Sequence, residues 1–93
     1  MSLLKQLDEH RIIAIVRGIP AGANADAAAE ALYAGGIRLI EVTMNTPGAL
    51  EMIRSWRTRF AGKMRVGAGT VLDLEMAKAA IDAGAEYLVT PNG

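Results

Sequence analysis

The side chains most able to do chemistry stand at the ends of apolar runs. Arg17 follows Ile12-Ile13-Ala14-Ile15-Val16, Glu41 and Thr43 lie in the run from Ile37 to Thr43, Thr70 follows Gly67-Ala68-Gly69, and Thr90 with Pro91 closes Tyr87-Leu88-Val89. Glu41 is the most informative of these, because it sits between Ile40 and Val42 where an apolar residue is expected. Side chains alternate along a strand, so Leu39, Glu41 and Thr43 share one face and Ile40 and Val42 the other. If Ile40 and Val42 pack under helices, Glu41 points into a barrel or cleft. A buried carboxylate must be paired, hydrogen-bonded or shifted toward neutrality, and a carboxylate so tuned can act as a general acid or base. An ion pair between Glu41 and Arg17 is the equally weighted structural alternative. Arg17 itself can grip an anionic substrate in a bidentate contact, or simply reach water along its stem.

Gly67-Ala68-Gly69-Thr70 resembles a phosphate loop only superficially. A dinucleotide fingerprint needs a third glycine where this chain has Leu72, and the lysine of a P-loop is missing. These glycines instead let backbone or substrate approach closely. Arg54, Arg57, Arg59, Lys63 and Arg65 form a run of basic residues that reads as a solvated helix face. His10 reads as a surface residue.

The elements that position these groups alternate. A short helix from Ser2 to about Glu9 comes first, capped by Ser2 with Leu3, Leu4 and Leu7 on one face. Four strands follow, at Ile12–Val16, Ile37–Thr43, Met64–Val71 and Tyr87–Thr90. Between them lie helices over Asn24–Ala34 (stopped by Gly35-Gly36), from Thr46-Pro47 to Gly62, and from an Asp73 cap to Gly84. Ala49, Met52, Ile53, Trp56 and Phe60 make one apolar stripe on the middle helix. The segment from Glu30 to Ile37 is echoed from Lys78 to Ala85, about two βα units on. Strict alternation with short loops implies parallel strands and right-handed crossovers. This is α/β: either a slice of a (β/α) barrel or an open doubly wound sheet. Both gather chemistry at the carboxyl ends of strands.

Composition narrows the function classes. The chain has 93 residues, with 10 basic against 10 acidic side chains, no cysteine and one histidine. Charge balance argues against a nucleic-acid or membrane-surface binder. The lack of cysteine removes disulfides, thiolate zinc sites and thiol nucleophiles. No metal site and no cofactor are expected. Without a long apolar run or a secretory leader, the expected place is the cytoplasm. Seventeen alanines and 10 glycines suit close packing of helices on a sheet. Residues 1–93 read as a single partial domain.

Arg11–Arg17, Gly35-Gly36-Ile37, Ile40-Glu41-Val42-Thr43, Val66–Val71 and Ala83–Pro91 together resemble the opening half of the 2-keto-3-deoxy-6-phosphogluconate / 4-hydroxy-2-oxoglutarate aldolases. The resemblance covers nearly the whole chain in the family's order. It implies about half of a TIM (β/α)8 barrel with four strands, and Schiff-base chemistry on a small 2-oxo acid to give pyruvate and an aldehyde. It also implies a homo-oligomer, usually a trimer. By position, Glu41 is the general acid/base, Thr70 and Pro91 line the pyruvate pocket, and Arg17 holds an anionic group. Asn45 stands in the substrate pocket where some members carry an arginine. The family's nucleophilic lysine lies on a later strand. Lys5, Lys63 and Lys78, the lysines present, are not expected at a strand's carboxyl end, so the isolated chain is expected to be inactive. The alternative is a non-catalytic half-barrel unit that self-associates through its open edges and apolar face. A doubly wound signalling-type domain is weakened because no acidic residues close the first strand.

Overall fold

A computed structural model describes residues 2–8, 11–19 and 22–90. The element order is β1 (Ser2–Asp8), β2 (Arg11–Val16), α1 (Ala23–Ala34), β3 (Leu39–Thr43), α2 (Ala49–Arg59), β4 (Arg65–Gly69) and α3 (Leu74–Ala83). The four strands form one sheet in the order β1-β2-β3-β4. β2, β3 and β4 are parallel, with Ile15 opposite Glu41 and Glu41 opposite Gly67.

The helix expected over Ser2–Glu9 is not formed. That segment is β1, antiparallel to β2, with Ser2 opposite Val16 and Gln6 opposite Ile12. A seven-residue helix is marginal on its own, whereas the free edge of β2 offers a row of unpaired N–H and C=O groups. The strand expected at Tyr87–Thr90 forms only a parallel bridge, Ala68 to Leu88. Its backbone still runs along β4, because Ala68 N donates to Tyr87 O, Val89 N to Ala68 O and Val71 N to Val89 O. The reading of His10 lies outside the described residues.

One buried cluster joins Ala14, Val16, Ile40, Val42, Val66 and Ala68 of the sheet to residues of all three helices. The helices therefore share one face of the sheet. This is the arrangement of a barrel wall, and it excludes the doubly wound alternative, in which both faces are covered. Each residue of the expected stripe on α2 is buried, with Trp56 at 0% and Phe60 at 1% exposure. Truncating either to alanine would cost about 3–5 kcal/mol. The Trp56 indole N–H donates to Asp26 Oδ1 at 2.8 Å, so its polar atom is satisfied where α2 meets α1.

Helix ends follow the sequence in two places and depart in one. Asp73 caps α3, its carboxylate accepting from Met76 N at 2.8 Å. The echoed segments end α1 and α3 alike: Ile37 N reaches Leu32 O and Ala85 N reaches Ala80 O, while Gly36 and Gly84 adopt φ of 102° and 109°. Thr46, however, does not cap α2. That helix starts after Gly48, and the Thr46 hydroxyl is used elsewhere. The basic run is exposed except at Arg57, and it is partly paired: Arg59 meets Glu30 at 2.9 Å and Asp26 at 3.4 Å, and Arg57 meets Glu86 at 3.9 Å.

Candidate active site at the strand ends

Because even-numbered residues of β2–β4 face the helices, the odd-numbered ones face the opposite side, the interior of a barrel. On β3 these are Leu39, Glu41 and Thr43, and on β4 they are Arg65, Gly67 and Gly69. Glu41 is buried at 6% exposure, on the face opposite Ile40 and Val42. Its side chain leans across β4. A Cβ built on Gly69 would lie 2.7 Å from Glu41 Cδ and 3.0 Å from Cγ.

Gly67, two residues earlier on the same face, is a second notch. A Cβ there would run into the Tyr87 ring. Tyr87 comes from the segment beyond β4, crosses over Gly67, and donates its hydroxyl to Ile40 O on β3 at 2.8 Å. The two glycines thus admit two side chains that cross β4 in opposite directions. Burial pushes the Tyr87 phenol pKa up, and the charges of Glu41 and Glu86 push it further the same way. The phenol stays neutral and its proton stays committed to the main-chain carbonyl.

The mouth of the site is tied together by hydroxyls. Thr43 Oγ1 and Thr46 Oγ1 lie 2.8 Å apart, and both residues are buried. Thr46 Oγ1 also accepts from Gly18 N at 2.9 Å, and Thr43 Oγ1 reaches Val16 O at 3.4 Å. This chain of contacts fixes the turn after β2, which carries the exposed Arg17, against the turn after β3, which carries the exposed Asn45. Thr70, at the end of β4, is half-buried and takes φ of 54°. A left-handed β-branched residue costs about 1–3 kcal/mol and is held only where its surroundings dictate it; such outliers gather at functional sites.

Arg17, Glu41, Asn45 and Thr70 therefore come to the same end of the sheet, the carboxyl ends of the parallel strands. Pro91 lies outside the described residues. Tyr87 and Thr46 were not singled out as site residues from sequence. The signal for Tyr87 was the glycine pair itself, spaced by two on the face that carries Glu41. A cavity of about 690 Å³ lies at the opposite end, among Ile12, Arg38, Leu39, Lys63, Arg65 and Glu86, away from these groups. Among the described residues no cluster of three or more His, Asp or Glu side chains could hold a metal ion. Nor is any helix there long and apolar enough to cross a membrane.

A half-open parallel wall with a carboxylate facing inward is a frame many enzymes share, and comparison with known proteins narrows it. The sequence profile of the family described as "Aldolase: KDPG and KHG aldolase" matches residues 3–92. The chain belongs to the KDPG and KHG aldolase family. It is 48% identical over 69 residues to the 2-dehydro-3-deoxy-phosphogluconate aldolase of Zymomonas mobilis, covering 74% of this chain and 32% of that protein. It is 38% identical over 91 residues to the enzyme of the same name from Treponema pallidum, covering 98% of this chain and 42% of that one. The chain thus spans about a third to two-fifths of the length of these relatives. Among solved structures, the 2-keto-3-deoxy-6-phosphogluconate aldolase of Zymomonas mobilis ATCC 29191 superposes with a TM-score of 0.73 at 43% identity, over 83% of this chain and 36% of that one. A KDPG aldolase from Legionella pneumophila superposes at 0.67 and 34% identity, over 83% of this chain and 38% of that one. It was solved with pyruvate captured as a covalent carbinolamine intermediate. The fold is accordingly that of part of an aldolase barrel.

Proposed function

We propose that this chain supplies the acid/base half of a Schiff-base aldolase that reversibly cleaves 2-keto-3-deoxy-6-phosphogluconate or 4-hydroxy-2-oxoglutarate to pyruvate and an aldehyde. The observation that carries the reading is Glu41: a buried carboxylate, facing the barrel interior, beside the carboxyl end of β4. In the proposed reaction an amine adds to the substrate's 2-oxo carbon, water leaves the carbinolamine, and the carbon–carbon bond breaks with its electron pair drawn into the iminium while the 4-hydroxyl loses its proton to leave an aldehyde. The enamine is then protonated, and water hydrolyses the iminium to release pyruvate and the amine. Glu41 donates and accepts the protons of carbinolamine dehydration and enamine protonation. Thr70 offers a hydroxyl to the 2-oxo acid, and Pro91, outside the described residues, keeps the pocket-lining role that the family resemblance implies. Arg17 and Asn45, at the rim, meet an anionic end of the substrate.

The nucleophile is not among these groups. Lys63 and Lys78 are exposed, one in the turn before β4 and one on α3, and Lys5 is in the middle of β1. A lysine that attacks a carbonyl needs an apolar seat where it can lose its proton. The 93-residue chain alone should therefore give no stable adduct when treated with pyruvate and borohydride and weighed by mass spectrometry. The positive test is a chimaera in which this segment replaces the matching part of the Zymomonas mobilis aldolase. It should release pyruvate, and Glu41→Gln should slow it by about 10²–10⁴-fold. A folded chimaera whose E41Q form is as fast as its parent overturns the assignment.

The proposal extends to a cytoplasmic enzyme that works as a homo-oligomer, without cofactor, on a small 2-oxo acid. Leu72, Leu74 and Ile81 are exposed at 65%, 70% and 56%, a cluster around α3 suited to being covered. Sedimentation of the chain should show self-association, and a strict monomer over a wide concentration range would count against it.

A further inference from the structure

We propose that Tyr87 is a positioning residue for Glu41: its side chain bridges from the segment beyond β4 across to β3 and forms the floor on which the carboxylate rests. The inference deepens the reading of Glu41 as the acid/base and rests on it for its catalytic meaning.

Three features support it. First, the bridge is built into the backbone. Tyr87 crosses β4 only because Gly67 has no side chain, and its hydroxyl is anchored on Ile40 O, the carbonyl next to Glu41 in the chain. Second, the ring occupies the layer directly below the carboxylate. Gly67 and Gly69 are two residues apart on one face, about 7 Å along the strand. Tyr87 fills the first notch and Glu41 the second, nearer the mouth. Third, the phenol is pushed up first by burial and then by the charge of Glu41, so the carboxylate lies close enough to be felt at the ring.

The bridging hydroxyl gives its proton to a carbonyl and is therefore unsuited to shuttle protons to substrate. What the ring can do is exclude water from beneath Glu41 and stop the carboxylate from swinging down the barrel. Among the described residues the groups around Glu41 on this face are Ile13 and Ile15 of β2, Leu39 and Thr43 of β3, Arg65, Gly67 and Gly69 of β4, and Tyr87, and by register Leu3 and Lys5 of β1 pair with Ile15 and Ile13. Arg17 follows β2 at the mouth, and Glu86 precedes Tyr87. Among the described residues, Tyr87 is the titratable side chain that fills the notch next to the one Glu41 occupies.

The test is the titration of the Glu41 side-chain carboxyl by carbon-detected NMR on the 93-residue chain, in the parent, Tyr87→Phe and Tyr87→Leu. Removing the ring admits water and eases ionisation, so Y87L should raise the acid constant of Glu41 about tenfold. Y87F keeps the ring but loses its anchor, and should raise it about twofold. Amide dispersion reports in parallel whether each variant is folded. If Y87L does not fold, Y87F decides alone. A Glu41 titration unchanged from the parent in the folded variants overturns the proposal. The readout does not involve pyruvate, so a failed chimaera with a shifted Glu41 would sink the catalytic reading and leave the positioning role standing.

Discussion

Gly67→Ala is the substitution that most directly probes the crossing of β4. Gly67 is an extended strand residue, and alanine in such a place ordinarily stabilises by about 0.4–1 kcal/mol, because the unfolded chain loses freedom. Here the added methyl meets the Tyr87 ring, a rigid group pinned at its far end by the bond to Ile40 O. The ring must move as a body. Overpacking costs about 1–3 kcal/mol and the lost hydrogen bond about 0.5–1.5 kcal/mol, so a net destabilisation of about 2–4 kcal/mol is expected. That is a large fraction of the stability of a chain this size. In a Tyr87→Ala background the obstruction is gone, and the same glycine change should be neutral or slightly stabilising. The cycle therefore predicts a coupling of about 3 kcal/mol, at the upper end for touching residues. Urea unfolding of the four chains, followed by tryptophan fluorescence from the buried Trp56, measures it. Additive effects, or a stabilising Gly67→Ala in the parent, would refute the claim that Tyr87 lies over this glycine.

The other predictions concern the ends of elements and the alkaline limb. Asp73→Ala removes the carboxylate that caps α3 and should cost about 1 kcal/mol by urea unfolding, while Asp73→Asn or Asp73→Ser should cost less. The phenol of Tyr87 has a folded-state pKa above its ordinary value near 10, so the folded chain holds that proton more tightly than the unfolded chain does. Its contribution to stability is complete below about pH 10 and is lost as pH rises beyond that; alkaline unfolding of Tyr87→Phe should lack this component. Hydrogen exchange should find the amides of β2 that face β1 less protected in a chain from which residues 2–8 have been deleted, and unchanged protection there would count against the antiparallel pairing.

How much could be read from sequence depended on whether a residue's partners lie close in the chain. The α2 stripe, the Asp73 cap and the glycine stops follow from local periodicity and local hydrogen bonds, and they appear as expected. The inward direction of Glu41 was legible because its neighbours Ile40 and Val42 are unambiguous core residues. Thr46 misled because a threonine before a proline is a good local cap, while its actual partners, Gly18 N and Thr43, are set by the register between β2 and β3. Tyr87 reads as one more apolar residue in a strand until the glycine beneath it is seen to be a strand away. Thr70's left-handed conformation has no local signature, since nothing in the type of a β-branched residue suggests it.

The misread N-terminal segment follows from what a parallel sheet leaves unpaired. A wall of parallel strands exposes a full hydrogen-bonding edge on each side, and in this chain both edges find partners. β1 lies antiparallel on β2, and the segment after α3 runs beside β4 through Glu86 N to Val66 O and the bonds around Ala68. In a closed (β/α)8 barrel each strand has a parallel neighbour on both sides, so β2 would pair on that same edge with the barrel's closing strand. The antiparallel β1 and a closing parallel strand are therefore alternatives for one row of donors and acceptors. Leu3, Leu4 and Leu7 carry a helical spacing that the edge overrides here, and that spacing would be free to express itself once the edge is taken. Local propensity and sheet pairing thus point to different structures for the same seven residues, and the pairing state of β2 decides between them.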